Sequence, residues 1–210
     1  MTGAYVAAPR AGAERAAQPA RAERAGAERA GAAERAAAAQ PPKPCRVVLA
    51  LGSNLGDRMA NLQGAVDALL YAPELSLVAI SPVYETEPVG GPAQPDYLNA
   101  VLIVATTRPA TVILELAQGI EKAFRRSRET RWGPRTLDID IIMCDKAVSD
   151  DPKLTLPHPR AHERAFVLAP WLDADPGAEI PGRGRVADLL TDATGARVQR
   201  RADVAIRPPK

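Results

Sequence analysis

Two aspartates, Asp138 and Asp140, have the spacing that most directly suggests chemistry. The apolar residues that alternate with them are Leu137, Ile139 and Ile141. Side chains of a β-strand alternate between its two faces, so both carboxylates are expected on one face, about 7 Å apart. They repel each other there, and a cation such as Mg²⁺, which prefers carboxylate and phosphate oxygens, would remove that cost. The same alternation is typical of a solvent-facing strand, so the pattern alone leaves both interpretations open.

A basic segment leads into this pair of aspartates. Residues 121–135 contain six basic and two acidic side chains, and a Gly133-Pro134 turn precedes Arg135. Guanidinium groups hold phosphate oxygens by paired hydrogen bonds, and phosphoryl-type transfer depends on positioning and charge neutralisation. The sequence has neither a GxxxxGK[ST] loop nor the HRD and DFG motifs of protein kinases, so any use of ATP requires another kind of site. Nucleic-acid binding alone would leave two same-face aspartates opposing the phosphate backbone.

The elements that must position these residues can be predicted from apolar runs and from the spacing of apolar residues. The predicted elements are a strand at 46–51, a helix at 57–71, strands at 75–84 and 97–106, a helix at 109–126 and a strand at 136–143. Asp57 is the predicted N-cap of the first helix, and the second helix begins at Pro109. In the strand at 75–84, Leu75, Leu77 and Ala79 alternate, and Pro82 indicates a sheet edge or a bend. This βαββαβ order predicts an α+β, ferredoxin-like sandwich. Residues 160–205 are predicted to add C-terminal helices and a peripheral hairpin.

A proline-rich loop separates the second and third predicted strands. Residues 85–96 contain three prolines and two glycines, which is too many breakers for a helix or a strand. Loops of this length between regular elements are often functional. We therefore expect residues 85–96 to contribute to a binding site.

Composition and charge exclude several classes of protein. The chain is 46% hydrophobic and 25% charged, and its net charge is +2, of which residues 1–44 carry +3. The rest of the chain therefore has a net charge of −1, so it lacks the excess of positive charge that is typical of nucleic-acid-binding domains. No apolar stretch is long enough to cross a bilayer and none resembles a secretory signal, which predicts a cytoplasmic location and no membrane partner. The only cysteines, Cys45 and Cys144, are predicted to be reduced thiols.

Residues 1–45 have a composition of their own. Alanine supplies 18 of the first 40 residues, and Ala-Glu-Arg recurs there without a fixed spacing. These residue types favour helix, but no apolar stripe is present to dock on a core. We expect an extension rich in Ala, Arg, Glu and Pro that is disordered or part-helical. A solvated tail and a helix that binds a partner both remain open.

Four segments resemble one known family. RWGPRTLDIDII at 131–142 closely resembles the signature of the hydroxymethyl-dihydropterin pyrophosphokinases. The other blocks, in the family's order, are ALGSNLGDR at 50–58, SPVYETEPVGGPAQPDYLNAV at 81–101 and LPHPRAHERAFVLAPW at 156–171. The resemblance covers nearly all of residues 46–172 and implies the same ferredoxin-like fold. It implies a pyrophosphokinase domain at 46–205 that transfers diphosphate from ATP to 6-hydroxymethyl-7,8-dihydropterin, releasing AMP, in tetrahydrofolate biosynthesis.

The resemblance implies a set of residues on the nucleotide side. Asp138 and Asp140 would bind two Mg²⁺ ions, and Arg135 would be a catalytic arginine that grips the phosphates of ATP. Arg126 would be the second catalytic arginine, in a basic segment implied to close over the site, with Arg125 and Arg128 as alternatives for that role. The remaining residues implied to contact ATP are Gln118, Glu121, Arg128, Arg131, Trp132, His158 and Arg164.

The resemblance also implies a pterin pocket. A pterin is a flat bicycle rich in hydrogen-bonding groups, so its pocket needs aromatic faces and amide-type polar groups. The matching residues are Tyr97 and Phe166 as an aromatic pair, Asn99 as a donor and acceptor, and Thr86 and Val89 from the proline-rich loop. ATP and the pterin are the implied partners, and the enzyme is expected to be a monomer. A non-catalytic protein that binds pterin or RNA on the same fold is the alternative.

Overall fold

The computed structural model describes residues 43–90, 92–124, 135–193 and 197–209. The strands are β1 (Cys45–Ser53), β2 (Ser76–Ile80), β3 (Val83–Thr86), β4 (Tyr97–Thr106), β5 (Asp138–Cys144), β6 (Ser149–Asp151), β7 (Leu154–Leu156), β8 (Glu179–Ile180), β9 (Gly184–Arg185) and β10 (Val198–Arg201). The helices are α1 (Arg58–Tyr71), α2 (Ala110–Ala123), α3 (Ala165–Ala174) and α4 (Val186–Asp192), with a 3₁₀ turn at Ala161–Glu163.

Six strands pair in one antiparallel sheet. The order across it is β10-β3-β4-β1-β5, and β2 also pairs with β4. β1 and β4 are the long central strands, and most of their residues are buried because both faces of the sheet are covered. A mixed fold of helices and antiparallel strands is therefore confirmed.

One face of the sheet packs against α1 and α2. From β1 it presents Val47, Leu49 and Leu51, each at most 2% exposed. The Asp57 side chain accepts the Ala60 N–H at 3.0 Å, so the predicted N-cap of α1 is confirmed. The helices contribute apolar side chains at helical spacing: Leu62, Val66, Leu69, Ile113, Ala117 and Ile120.

The opposite face changes from apolar to polar along the central strands. At one end it packs Val48, Ile103 and Ile142 against α3 and α4. Further along the same three strands the residues on this face are Gly52, Asn99, Tyr97, Asp140 and Asp138. The apolar end buries a second core cluster around Trp171, and the polar end is left available for a site.

The structure corrects several predictions of detail. A one-residue register shift at Val78 breaks the expected alternation, and Leu77 and Val78 are 39% and 45% exposed. The predicted strand at 75–84 is divided at Ser81-Pro82, and the strand beyond the division includes Glu85 and Thr86, which had been assigned to the loop. A hairpin at β8–β9 and two helices after residue 160 are confirmed. However, β10 joins the main sheet beside β3, and the β6–β7 hairpin was not predicted.

No helix within the described parts of the chain is long and apolar enough to cross a membrane.

Candidate active site

The two aspartates project from the same face of β5. Asp138 and Asp140 are part-buried, whereas Ile139 and Ile141 between and beyond them are 4% exposed in the core on the other face. In the register with β1, Asp138 lies opposite Gly52 and Asp140 lies opposite Ala50. The predicted same-face carboxylates are therefore present, at the polar end of the sheet.

Each carboxylate has an arginine beside it. Arg135 donates from Nη1 to Asp138 Oδ2 at 2.5 Å, and Arg164 Nη1 lies 3.7 Å from Asp140 Oδ2. Burial, and then the charge of Asp138, raise the pKa of Asp140 to about 6, against an ordinary value of 3.8. Arg164 and Arg135 oppose this shift without cancelling it. The pair therefore carries repulsion that a divalent cation would relieve, and one or two carboxylates are the protein ligands that Mg²⁺ commonly uses with substrate phosphates.

The raised pKa of Asp140 gives a stability prediction for Asp140→Asn. The folded state binds this proton more tightly than the unfolded state, so ionisation lowers the free energy of unfolding as pH rises from about 4 to 6. At pH 7, with a chelator present, the variant should be more stable than the wild type. The gain should not exceed about 1 kcal/mol, because the side chain is 40% exposed and solvent screens the repulsion.

Urea unfolding at pH 7 and pH 3.5 would check this expectation. The difference between variant and wild type should shrink towards pH 3.5, where the wild-type carboxyl is protonated in the folded state and mostly protonated in the unfolded state. A variant that is less stable at pH 7 would contradict the repulsion.

Arg164 and His158 approach the aspartates from the segment after β7. The Arg164 guanidinium carbon lies 5.5 Å from the centre of the Phe166 ring, so one arginine joins this aromatic face to Asp140. Burial, and then the charge of Arg164, lower the pKa of His158 to about 4. The imidazole is therefore neutral at pH 7, and its Nδ1 accepts the Arg160 N–H at 3.2 Å.

A cluster of polar side chains lies across β1 from the aspartates. Asn99 lies opposite Gly52 in the β1–β4 register, and Asn99 Nδ2 donates to Thr86 Oγ1 at 2.7 Å. Asn99 and Thr86 are 6% and 2% exposed. A Cβ atom at Gly52 would lie only 3.1 Å from Asn99 Oδ1 and 3.8 Å from the Tyr97 ring. The absence of a side chain at Gly52 thus allows the Asn99 amide to approach the β1 backbone closely, on the strand that lies between Asn99 and Asp138.

The remaining predicted contacts differ in their placement. Glu121 is 4% exposed, and its Oε1 accepts the backbone N–H of Ile139, between the two aspartates, at 2.9 Å. Gln118 is exposed on the same helix. Val89 is 58% exposed, and Thr86 is the last residue of β3 rather than part of the loop. The predicted roles of all four residues stay predictions.

Asn54 is the residue near the site that sequence analysis missed. It is 2% exposed, and its side chain accepts the Arg135 N–H at 2.7 Å and donates to Gln94 Oε1 at 3.0 Å and to the Pro95 carbonyl at 3.1 Å. A polar residue directly after a buried strand was the available signal, because a buried amide must find partners in neighbouring loops.

Two hydrogen bonds anchor Thr136, shortly before β5. Thr136 Oγ1 donates to the Phe124 carbonyl at 2.7 Å, and Ser53 Oγ donates to the Thr136 carbonyl at 2.6 Å. The predicted residues between Phe124 and Arg135 lie outside the described residues, so their roles stay predictions: Arg125, Arg126, Arg128, Arg131 and Trp132.

A separate cavity of about 1130 Å³ lies at the other end of β1. Its lining includes Arg46, Val48, Met143 and Trp171, and none of the predicted site residues that the structure describes. The candidate active site is therefore defined by its side chains rather than by this cavity.

Comparison with known proteins identifies the family. Residues 48–176 match the model of 7,8-dihydro-6-hydroxymethylpterin-pyrophosphokinase (HPPK). Proteins named 2-amino-4-hydroxy-6-hydroxymethyldihydropteridine pyrophosphokinase match at 47% identity in Mycobacterium tuberculosis (66% of this chain, 77% of the relative), 41% in Pseudomonas aeruginosa (69% and 90%) and 39% in Bacillus subtilis (71% and 87%).

A likeness to solved structures supports the fold. The crystal structure of wild-type Plasmodium falciparum HPPK-DHPS matches with a TM-score of 0.51 at 15% identity, over 71% of this chain and 45% of that chain. A variant of the same protein solved with pteroate matches with a TM-score of 0.56 at 14% identity, over 73% of this chain and 44% of that chain. This chain thus spans less than half of those longer chains, and at such identities the likeness concerns the fold alone. Together with the match over residues 48–176, the relatives establish that the chain belongs to the HPPK family.

Proposed function

We propose that this chain is an ATP-dependent pyrophosphokinase that transfers diphosphate from ATP to 6-hydroxymethyl-7,8-dihydropterin and releases AMP, a step in folate biosynthesis. The relatives at 39–47% identity carry that activity in their names. The structural observation that supports it best is the row of Asn99, Gly52 and Asp138 on adjacent strands. This row brings an amide suited to a pterin next to carboxylates suited to a metal-bound polyphosphate.

The nucleotide side is assigned to the residues around β5. Asp138 and Asp140 would hold Mg²⁺, as two ions, and bound Mg²⁺ would neutralise phosphate oxygens. Arg135 and Arg164 lie beside these carboxylates and would bind phosphate oxygens once the carboxylates are shared with metal. Neutral His158 and buried Glu121 border the same region, and Gln118 is assigned to it by the family resemblance alone.

The pterin side is assigned to the pocket across Gly52. Asn99 and Thr86 would hydrogen-bond the ring edge, and Tyr97 and Phe166 would cover its faces, with Val89 as a wall. Phe166 lies under the Arg164 guanidinium, which is itself 3.7 Å from Asp140, and this would place a ring held there on the same side as the polyphosphate. The pterin hydroxymethyl oxygen would attack the β-phosphorus of ATP directly, with AMP as the leaving group and no covalent enzyme intermediate.

Several finer assignments belong to the same proposal. The strand order β5-β1-β4-β3 and the two helices on one face support the ferredoxin-like description. Residues 46–205 would form the pyrophosphokinase domain, acting as a monomer in the cytoplasm without nucleic acid. A non-catalytic pterin- or RNA-binding protein is less favoured, because the relatives at 39–47% identity are named as pyrophosphokinases.

Phosphorus NMR of the purified protein with ATP, Mg²⁺ and 6-hydroxymethyl-7,8-dihydropterin would test the reaction. The expected products are AMP and a pterin diphosphate. Formation of ADP would show that a single phosphoryl group is transferred. Pterin binding without turnover would favour the non-catalytic alternative.

Substitution of Gly52 tests the placement of the pocket. In Gly52→Ala, the new methyl group would lie 3.1 Å from Asn99 Oδ1, so Asn99 must move by a few tenths of an ångström from the position in which it would bind the pterin. We expect the KM for the pterin to rise by about 10–100-fold, a cost of about 1–3 kcal/mol. The KM for ATP should change much less.

Gly119→Ala is the matched control, because nothing lies within 4 Å of a Cβ atom at Gly119. Steady-state kinetics with each substrate varied in turn would make the comparison. Equal changes in both KM values for Gly52→Ala would contradict the assignment of this pocket to the pterin.

A further inference from the structure

Cys45 and Cys144 are the only cysteines of the chain, and the fold brings them together. Cys45 is the first residue of β1, and Cys144 is the last residue of β5, 99 positions further along the chain. Both are free thiols, and their sulfur atoms lie 3.2 Å apart. This separation is only about 1 Å longer than the bond between the sulfur atoms of a disulfide.

The pairing of the two strands explains why the thiols meet. Cys144 lies opposite Val47 in the β1–β5 register, so Cys45 is its diagonal neighbour on the same face of the sheet. The residues that follow the two cysteines hold the strand ends together. The Asp145 N–H donates to the Arg46 carbonyl at 2.8 Å, and the Arg46 N–H donates to Asp145 Oδ1 at 3.0 Å.

The two thiols differ in exposure and in their hold on the proton. Cys144 is 7% exposed, whereas Cys45 is half-buried. Burial, and then the hydrogen bond with Cys45, raise the pKa of the Cys144 thiol to about 12, so Cys144 keeps its proton near neutral pH. An oxidant is attacked by an accessible thiolate, which makes Cys45 the thiol that reacts first. Cys144 then lies beside it as the second thiol of the pair.

We propose that Cys45 and Cys144 form a modification site, which hydrogen peroxide converts into an intramolecular disulfide that cross-links β1 to β5. The Cys45 thiolate attacks a peroxide oxygen, the O–O bond breaks, and the departing hydroxide takes up a proton, which leaves a sulfenic acid on Cys45. The Cys144 sulfur then attacks the Cys45 sulfur. The S–S bond forms, the S–O bond breaks, and the hydroxyl leaves as water with the Cys144 proton. Peroxide is thus reduced to two water molecules.

The cross-link would act on the stability of the fold rather than on the candidate active site. It would close a loop of about 100 residues and so restrict the unfolded chain strongly. Gly52 and Asp138 lie at the other end of the two strands, about 23 Å from Cys45 along β1. Disulfides in reducing compartments are usually transient, and thiol reductants would reverse this one.

Peptide mapping by mass spectrometry tests the site on the full chain before and after treatment with stoichiometric hydrogen peroxide. The wild type should lose two hydrogen atoms and give a cross-linked pair of peptides that contain Cys45 and Cys144. Dithiothreitol should restore both thiols. The Tm of the oxidised protein should exceed that of the reduced protein by at least about 5 °C, because the unfolded chain is restricted.

Two variants separate the roles of the thiols. In Cys144→Ala, Cys45 should still react, but it should gain oxygen atoms as a sulfinic acid that dithiothreitol does not reduce. In Cys45→Ala only the buried thiol is left, and it should react with peroxide at least about tenfold more slowly than Cys45 does in Cys144→Ala. Cys45 is half-buried at a strand end, so Cys45→Ala should fold even if Cys144→Ala does not.

Three results would overturn the proposal. The first is a wild type in which Cys45 becomes a sulfinic acid while Cys144 stays a free thiol. The second is a disulfide that joins two chains, and the third is an intramolecular disulfide that lowers the Tm. Each of these results leaves the proposed function untouched, because both cysteines lie outside the candidate active site.

Discussion

Asp140→Asn is expected to lower kcat/KM for diphosphate transfer by at least about 10³-fold while the protein remains folded. The substitution removes one of two adjacent negative charges on β5, and the proposed reaction needs both for its metal-bound polyphosphate. Because the same change should slightly stabilise the metal-free protein at pH 7, loss of activity cannot be attributed to unfolding.

Turnover assays across a range of Mg²⁺ concentration would measure this effect. Asp138→Asn should be similarly inactive, and the matched control is Asp150→Asn, an exposed aspartate on the β6–β7 hairpin. Near-normal rates in Asp140→Asn or Asp138→Asn would refute a role for the pair in holding the metal. A higher Mg²⁺ requirement in the surviving activity would support it.

Arg135→Ala is the substitution with the second largest expected effect. We expect kcat/KM for ATP to fall by about 10²–10³-fold, because a charge-assisted contact to the phosphates is lost in a part-buried site. The backbone N–H and carbonyl of Arg135 keep their bonds to Asn54 and Leu55 whatever the side chain, so the turn before β5 should persist.

Arg135→Lys distinguishes geometry from charge. Lysine keeps the positive charge but lacks the planar fork that binds two oxygens at once, so it should recover only a minor part of the activity. Arg46→Ala is the matched control, since Arg46 makes a similar ion pair with Asp175 at 2.9 Å at the far end of β1. A fully active Arg135→Lys would contradict paired binding of phosphate oxygens, and an active Arg135→Ala would contradict the assignment.

The sequence predicted the elements whose periodicity is strong. A short apolar run located β1, which is buried on both faces, and the alternation of apolar residues with Asp138 and Asp140 located β5. The helical spacing of Leu62, Val66 and Leu69 located α1, because burial of one stripe imposes that period. The alternation of Asp138 and Asp140 with isoleucines also fixed their common face. Proximity of Asn99 to Asp138 could not be read from periodicity, since it depends on which strands are neighbours.

Other features depend on tertiary contacts that leave little local pattern. The register shift at Val78 reverses the expected exposure of Leu77, and β10 pairs with β3 across more than a hundred residues of chain. Glu121 would be a surface residue on an isolated helix, but in the folded chain it is buried beside β5 and accepts the Ile139 N–H. Asn54 was missed for the same reason, as its partners lie in two distant segments.

The hydrogen bond from Thr136 to Phe124 has a consequence for how this enzyme could be varied. It holds together the residues on either side of the ten residues 125–134, so the folding of the surrounding domain already includes the entropy cost of closing that stretch. Doubling the length of a closed stretch costs only about 0.6 kcal/mol more. A stretch of a different length between Phe124 and Arg135 should therefore cost the folded state little stability, whereas diphosphate transfer should be lost with the side chains assigned to it there, Arg126 among them.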